Sequence, residues 1–275
     1  MQAEPLPKLH LAPLDRCVLH ESIDPQRVAR LAAHLVAEDV LRNPPIVASY
    51  AQGDRLMVLD GATRTTALRQ LGFQAAPVQL INYADARIEL HTWAHLLHDA
   101  GIHGLLRALR TIPGLTIQSS AAPVATAAQP TPRPICELLT AEGERWVLCA
   151  TGGLLEEAQL LEQVFRCYVQ RAAVHRLPHE QPITPSSLPA GAIAVIFPRY
   201  VKQDLLTLTQ AGGVLPAGIT RHVIPGRVLR LNVPLAELRT GTLAAQQAWF
   251  AAWVAQRIAA GHARLYNEPT WLFDE

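Results

Sequence analysis

The sequence has few lysines, little net charge and no long apolar run, and each shortage narrows the possible functions. Lys8 and Lys202 are the only lysines among 275 residues, and the formal net charge is +1. A chain this close to neutral lacks the strong basic field of a nucleic-acid or anionic-membrane binder. No apolar run is long enough to cross a bilayer, and the first residues show no signal-peptide pattern. We therefore expect a soluble cytoplasmic protein without a nucleic-acid or membrane partner.

Cysteine pairs and the usual kinase motifs are missing as well. The four cysteines lie far apart and form no Cys-x-x-Cys pair; they are Cys17, Cys136, Cys149 and Cys167. This spacing predicts reduced thiols in the core rather than disulfides or a zinc site. The chain contains no Gly-x-x-x-x-Gly-Lys loop and no His-Arg-Asp catalytic loop, which excludes the common nucleotide-kinase scaffolds.

The apolar pattern that is present predicts an α+β (mixed α/β) protein in two parts. Residues 1–115 alternate short strands and helices, 116–134 form a connector rich in proline and alanine, and 135–275 form a second, smaller α/β domain. The second part includes predicted strands over 228–233 and 263–273. The other predicted elements are strands over 9–14, 46–49, 55–59, 76–80, 135–139, 146–150, 192–197 and 219–224, and helices over 25–38, 63–71, 102–109, 154–170, 202–210 and 243–260.

A further helix is predicted over 86–97, and it carries closely spaced histidines. His91 and His95 would share one face of this helix, with His98 one turn further on. That spacing could bind a metal or haem iron. No His-Glu-x-x-His motif and no nearby cysteine supports it, so we interpret them as surface or partly buried histidines.

The run 58–68 is a short apolar strand that ends on Asp60-Gly61 and turns at once into a helix. Glycine permits a sharp turn, and the first amides of a helix offer donors and a positive dipole end to an anion. Arg64 adds a cationic fork. The predicted phosphate contacts are Gly61, Ala62, Thr63, Arg64 and Thr65. The alternative is that Asp60 only caps the helix.

Glu21 is a second carboxylate of interest. It precedes Asp24-Pro25, a pair that is typical of a helix N-cap followed by proline at the first helical position. Glu21 is thus predicted to lie on a loop at the positive end of a helix. From these residues alone, an exposed loop glutamate without a role is the alternative.

Together these motifs resemble the ParB/sulfiredoxin superfamily, and more narrowly its free L-serine kinases, including the branch that makes O-phosphoserine for siderophore precursors. The matching stretches are 19–21, 43–47, 58–64, 71–72, 92–93, 215–222, 225–227 and 233–235. The resemblance implies a ParB/sulfiredoxin-like N-terminal domain, with the active site in the cleft between it and the second domain. Gly61-Ala62-Thr63-Arg64 lacks the thiol of the sulfiredoxin loop, so sulfinic acid reduction is not expected.

The resemblance also implies a reaction and residue roles. A phosphoryl group would pass from ATP or ADP to the hydroxyl of L-serine, giving O-phospho-L-serine. Glu21 would be the general base, and Asp60 a catalytic residue and ligand of Mg²⁺. Residues implied to bind the serine substrate are Trp93, Thr220, Arg221 and His222.

One residue departs from the family pattern. Thr63 stands where these kinases usually have histidine. A threonine hydroxyl can contact a phosphate oxygen, but it supplies no cation and shuttles no proton near neutral pH. The departure bears on turnover and on nucleotide preference.

Several alternatives stay open from the sequence. Thr220 to His222 could simply begin a strand, and Trp93 could be a core residue instead of a pocket wall. The competing function is a ParB-like nucleotide-dependent DNA-binding or regulatory protein without kinase activity. The expected partners of the kinase are L-serine and an adenine nucleotide, and the choice between ATP and ADP is not encoded in a short motif.

Overall fold

The computed structural model describes residues 6–50, 54–120, 133–178 and 182–266. Within these ranges the α-helices are α1 Pro25–Glu38, α2 Ala62–Gln70, α3 Ile102–Leu109, α4 Leu154–Val169, α5 Lys202–Gln210 and α6 Leu243–Ala259. The strands are β1 Lys8–Pro13, β2 Cys17–Leu19, β3 Val40–Leu41, β4 Ile46–Ser49, β5 Leu56–Asp60, β6 Ala75–Ile81, β7 Glu89–His98, β8 Leu115–Ser119, β9 Arg133–Thr140, β10 Arg145–Ala150, β11 Ala173–Pro178, β12 Ile193–Ile196, β13 Thr220–Val223 and β14 Val233–Pro234.

The first sheet has five strands in the order β1-β6-β4-β5-β2. Its inner pairs are mixed: β4 is antiparallel to β5 but parallel to β6, and β2 is parallel to β5. Alternate residues enter different cores, because successive side chains of a strand point to opposite faces. Val47 and Val58 pack in a core with residues of α1 and α2, whereas Ala48 and Met57 pack in a core shared with the second sheet.

The second sheet follows the order β11-β7-β12-β9-β10-β8, and β13 also pairs with β7. Helix α4 packs on β9 and β10 of this sheet, and α3 and α5 pack against α4. The buried side chains of Leu161, Val164 and Tyr168 extend from α4 into the shared core. The long strand β7 pairs with β11, β12 and β13, and so brings β11 and β13 close to each other.

The helix predicted over 86–97 is wrong, because 89–97 belong to β7 and 86–88 form a turn before it. Leu97 packs in the core shared by the two sheets, while Leu96 packs in a separate cluster on the opposite face. A strand covered on both faces has a near-continuous apolar run, which periodicity cannot distinguish from a buried helix. His91 and His95 therefore do not lie one turn apart on a helix.

Three other predicted segments also differ. Of the strand predicted over 228–233, only Val233 lies in a strand, β14, because Arg230 and Asn232 have positive φ angles of 53° and 54° that interrupt an extended run. Residues 263–266 form no strand, and 267–275 lie outside the described residues. The predicted connector begins with β8, which pairs with β10, and 121–132 lie outside the described residues.

Elements from each predicted domain pack with the sheet of the other domain. Hydrogen bonding places β7 and β8 in the second sheet, and the C-terminal helix α6 returns to the first, where Gln247 Nε2 donates to the Leu11 carbonyl over 3.1 Å. The domain boundary at residue 115 stays a prediction. Across the described residues, no helix combines the length and apolarity needed to span a membrane. All four cysteines are free, and three of them are buried as predicted, whereas Cys167 is only half-buried.

Candidate active site

The first sheet places the two predicted catalytic carboxylates at one edge. Strands β2 and β5 are parallel neighbours with Leu19 opposite Val58. Glu21 lies two residues beyond the end of β2, and Asp60 is the last residue of β5. Because neighbouring parallel strands end at the same edge, both carboxylates emerge there, where open α/β sheets commonly bind ligands.

Glu21 is held by the segment 215–220 and is not a free loop side chain. Ser22 N donates to the Leu215 carbonyl over 2.7 Å, and Leu215 N donates to the His20 carbonyl over 2.9 Å. The carboxylate accepts at both oxygens: Oε2 from Gly218 N at 2.8 Å, and Oε1 from Thr220 N at 2.5 Å and Thr220 Oγ1 at 2.7 Å. These three donors fix the orientation of the carboxylate.

Behind Glu21 lies His20, a buried residue for which no pattern in the sequence indicates a role. Its Nδ1 lies 2.6 Å from the Val58 carbonyl and its Nε2 lies 2.7 Å from Thr220 Oγ1. A carbonyl oxygen only accepts, so Nδ1 carries a hydrogen. The Thr220 hydroxyl has one hydrogen for two neighbours, Glu21 and His20, so making both bonds requires a further proton on one of them. Thr220 thus contacts the predicted base through its amide and its hydroxyl, and its contact with the serine substrate stays a prediction.

Asp60 is the acceptor of two arginines. Its Oδ2 lies 2.7 Å from Arg64 Nη2 and 2.6 Å from Arg227 Nη2. Burial by itself would raise the pKa of Asp60, but the two guanidinium groups outweigh it and lower that pKa below the ordinary value. The side chain does not cap α2, whose N-cap is Gly61 without a side-chain hydrogen bond. Asp60 is thus an ionised carboxylate within a cluster of positive charge.

Arg227 reaches Asp60 because a buried glutamine holds its loop. Gln79 on β6 donates from Nε2 to the Gly226 carbonyl and accepts at Oε1 from Val228 N, each over 2.9 Å. Arg227 belongs to the stretch 225–227 that resembles the family pattern, whereas no motif in the sequence points to Gln79. The signal for Arg227 was its place in the turn Pro225-Gly226-Arg227.

Gly61 turns the chain from β5 into α2. Its φ of +89° lies in the left-handed region, and a Cβ at this position would come within 3.0 Å of Pro45 Cα. Arg64, one turn into the helix, donates to the Asn43 carbonyl over 2.8 Å as well as to Asp60. Glycine is therefore required here by conformation and by space.

The predicted phosphate contacts of α2 divide into two groups. The amides of Ala62, Thr63 and Arg64 precede Thr65, whose amide makes the first intrahelical hydrogen bond, so these three amides point out of the helix N-terminus, as in any α-helix. Thr65 is different, because its amide and its hydroxyl both donate to the Gly61 carbonyl, over 2.9 Å and 3.0 Å, and it is buried. The donors of Thr65 are thus used inside the helix, and its contact with phosphate stays a prediction.

Trp93 and Arg221 lie together on neighbouring strands. Arg221 Cζ is 5.1 Å from the centroid of the Trp93 ring, a cation–π distance. Trp93 N donates to the Ile219 carbonyl over 2.8 Å, which ties β7 to the segment that holds Glu21. The ring is half-buried.

His222 is placed differently from the other predicted substrate contacts. Its Nε2 lies 2.9 Å from the Tyr83 hydroxyl, and its ring packs edge-on against His20 at 5.3 Å. Burial, with nearby positive groups, lowers the pKa of His222 well below its ordinary value. Burial thus favours the uncharged ring, and the contact of His222 with a substrate anion stays a prediction.

Comparisons with known proteins identify the fold. No protein-family model matches the chain. It is 28% identical over 268 residues to the ATP-dependent L-serine kinase SbnI of Staphylococcus aureus, covering 97% of each chain. It is 24% identical over 238 residues to an ATP-dependent L-serine kinase of Desulfurococcus mucosus, covering 83% of this chain and 90% of the relative.

Solved structures agree with these relatives. C-terminally truncated SbnI of Staphylococcus aureus superposes with a TM-score of 0.72 at 24% identity, covering 91% of this chain and 97% of that one. A free serine kinase in complex with AMP gives a TM-score of 0.67 at 17% identity, covering 86% and 98%. The chain has the free serine kinase fold. The predicted resemblance and the predicted mixed α/β class are confirmed.

The free serine kinase fold in this chain offers one carboxylate suited to a magnesium ion. In the described part of the chain, no three His, Cys, Asp or Glu side chains form a group that could hold a metal ion by themselves. Mg²⁺ usually takes one or two carboxylates and completes its shell with water and substrate phosphates. Asp60, ionised and with a side chain 38% exposed, fits that kind of ligand.

The three histidines of β7 do not form a metal site. His95 is buried, with Nδ1 2.6 Å from the Tyr168 hydroxyl and Nε2 2.9 Å from the Gly218 carbonyl. His91 pairs with the carboxylate of Glu89 at 2.6 Å. The interpretation as surface or partly buried histidines fits His91 and His98, which are half-buried, but is wrong for His95, whose ring lies in the core with both nitrogens hydrogen-bonded.

Proposed function

We propose that this protein is a kinase of free L-serine that uses ATP as phosphoryl donor and forms O-phospho-L-serine. The observation that carries the proposal is the convergence of Glu21 and Asp60 at one edge of the first sheet, beneath the segment 215–227. Three relatives named ATP-dependent L-serine kinase support both the reaction and the donor.

Glu21 is the proposed general base. A serine hydroxyl is a weak nucleophile at neutral pH, so a positioned carboxylate must accept its proton as the oxygen attacks phosphorus. The bond from the serine oxygen to the γ-phosphorus forms, the bond from that phosphorus to the bridging oxygen breaks, and ADP leaves. Gly218 and Thr220 hold the carboxylate in one orientation throughout.

The phosphates are proposed to lie against the start of α2. Charge on a transferring phosphoryl group is stabilised by positioned donors and cations, which supply most of the catalysis in this reaction class. Arg64, Arg227 and the first amides of α2 provide such groups. Asp60 would hold Mg²⁺, which when bound neutralises phosphate charge and orients the donor.

The experiment that tests the function looks for the product directly. Purified protein is incubated with L-serine, MgCl₂ and either ATP or ADP, and O-phosphoserine is measured by phosphorus NMR and mass spectrometry. A matched reaction without serine separates transfer from nucleotide hydrolysis. Product from ATP supports the proposal, absence of product with either nucleotide overturns it, and product from ADP alone overturns the choice of donor.

A further inference from the structure

Arg176 lies beside the proposed base and has no part in the function described so far. It belongs to β11, opposite His95 of β7. Its guanidinium packs against Gly218, so closely that any side chain at position 218 would overlap it. Gly218 is the residue whose amide donates to Glu21 Oε2. A single glycine thus separates the Arg176 guanidinium from the proposed base.

The charges around Arg176 favour an anion. Burial lowers the pKa of the Arg176 guanidinium, the Glu21 carboxylate raises that pKa, and the guanidinium of Arg27 on α1 lowers it. Arg176 and Arg27 together bring two positive charges near the proposed base. Arg176 nevertheless keeps access to solvent, and no described residue forms a hydrogen bond or an ion pair with its guanidinium. Within the described ranges its donors are not used by the protein itself.

We infer that Arg176 binds the α-carboxylate of L-serine and so sets the specificity for an amino acid, an inference that rests on the proposed function. In serine the hydroxyl carbon and the carboxylate carbon are both attached to Cα, so a hydroxyl at Glu21 places the carboxylate close by. The planar fork of arginine matches a carboxylate in two parallel hydrogen bonds. Gly218, without a side chain, leaves the space that the guanidinium occupies.

The first test compares R176M and R176K with the wild type. A charge-assisted hydrogen bond contributes about 1.5–3 kcal/mol, so KM for L-serine should rise about 10- to 100-fold in R176M. The kcat should change less than about threefold, and KM for ATP should stay unchanged, because the phosphates bind elsewhere. R176K keeps the charge but loses the fork, so an intermediate KM is expected. The matched control is R257M, which removes a guanidinium stacked on Trp253 of α6.

The second test measures binding without catalysis. Calorimetry compares L-serine with L-serine amide, which lacks the carboxylate. The wild type should prefer L-serine, and R176M should bind the two equally. The inference is overturned if R176M still binds L-serine more tightly than L-serine amide. It is also overturned if the substitution raises KM for ATP instead of KM for serine, a result that would indicate that the Arg176 guanidinium binds a phosphate. If wild type forms no O-phosphoserine, the proposed function fails first, whereas an active wild type with unchanged KM in R176M refutes this inference alone.

Discussion

The contacts of Glu21 predict that even its closest substitution, Glu21→Gln, is disruptive. The carboxylate accepts hydrogen bonds at both oxygens, from Gly218 N at one and from Thr220 N and Oγ1 at the other. Glutamine has one acceptor oxygen and one donor NH₂. Whichever way the amide is turned, its NH₂ faces a backbone N–H, so at least one backbone donor loses its partner.

The size of the effect follows from this loss. An unsatisfied buried donor costs about 1–3 kcal/mol, and the half-buried position of Glu21 places it in the lower part of that range. For a chain of this size each kcal/mol lowers the melting temperature by roughly 2–4 °C, so we expect a decrease of about 2–8 °C. Removal of a general base lowers kcat by about 10²- to 10⁴-fold.

Two assays on one variant separate the two effects. Calorimetric melting gives the stability, and initial rates of O-phosphoserine formation at saturating ATP and serine give kcat. E89Q is the matched control, because Glu89 is exposed and pairs with His91, remote from catalysis in the proposed mechanism. Wild-type melting of E21Q would refute the three hydrogen bonds, and wild-type kcat would refute the role of Glu21 as base.

Three further substitutions test other parts of the site. G61A should lower stability by about 1–3 kcal/mol in urea unfolding, because φ is +89° and the new Cβ meets Pro45; an unchanged midpoint contradicts this. R227Q removes one guanidinium from Asp60, so the pKa of that carboxyl should rise in a ¹³C NMR titration, and a constant value would refute the ion pair. The pKa of His222 is well below 6.5 in the folded protein, so below pH 6.5 the unfolded chain binds the proton and stability falls with falling pH. H222Q should reduce that slope, and an unchanged slope between pH 7 and 5 would be the contrary result.

Helix positions were predictable because their signals are local. Helix α1 begins after Asp24, whose side chain accepts from Gln26 N at 2.8 Å, with proline at the first helical position, as the sequence predicts. Helix α6 begins after Thr242, which caps the Ala245 amide. Strand β7 failed the same approach, because tertiary packing covers both of its faces and removes the alternation that marks a strand.

Individual residues of the site could be predicted from short motifs, but the contacts between them could not. The Asp60-Gly61 turn and Glu21 each carry a short motif, but their partners are remote: His20 meets Thr220 across 200 positions of sequence, and Gln79 meets Gly226 across 147. Periodicity and spacing describe neighbours within a turn or a strand pair, so they contain no information on such contacts. The roles of Arg227 and Gln79 became visible only when the loop was in place.

Thr63, where the family pattern has histidine, lies at the start of α2 close to two arginines. A histidine there would bring positive charge or a mobile proton to the start of α2. Positive charge is already supplied by Arg64 and Arg227, which both meet Asp60, and the helix amides are independent of the side chain at this position. With threonine at position 63, the site lacks a side chain that could shuttle a proton, but the positive charge at the start of α2 is retained. In the proposed mechanism the proton of the serine hydroxyl is therefore accepted by Glu21.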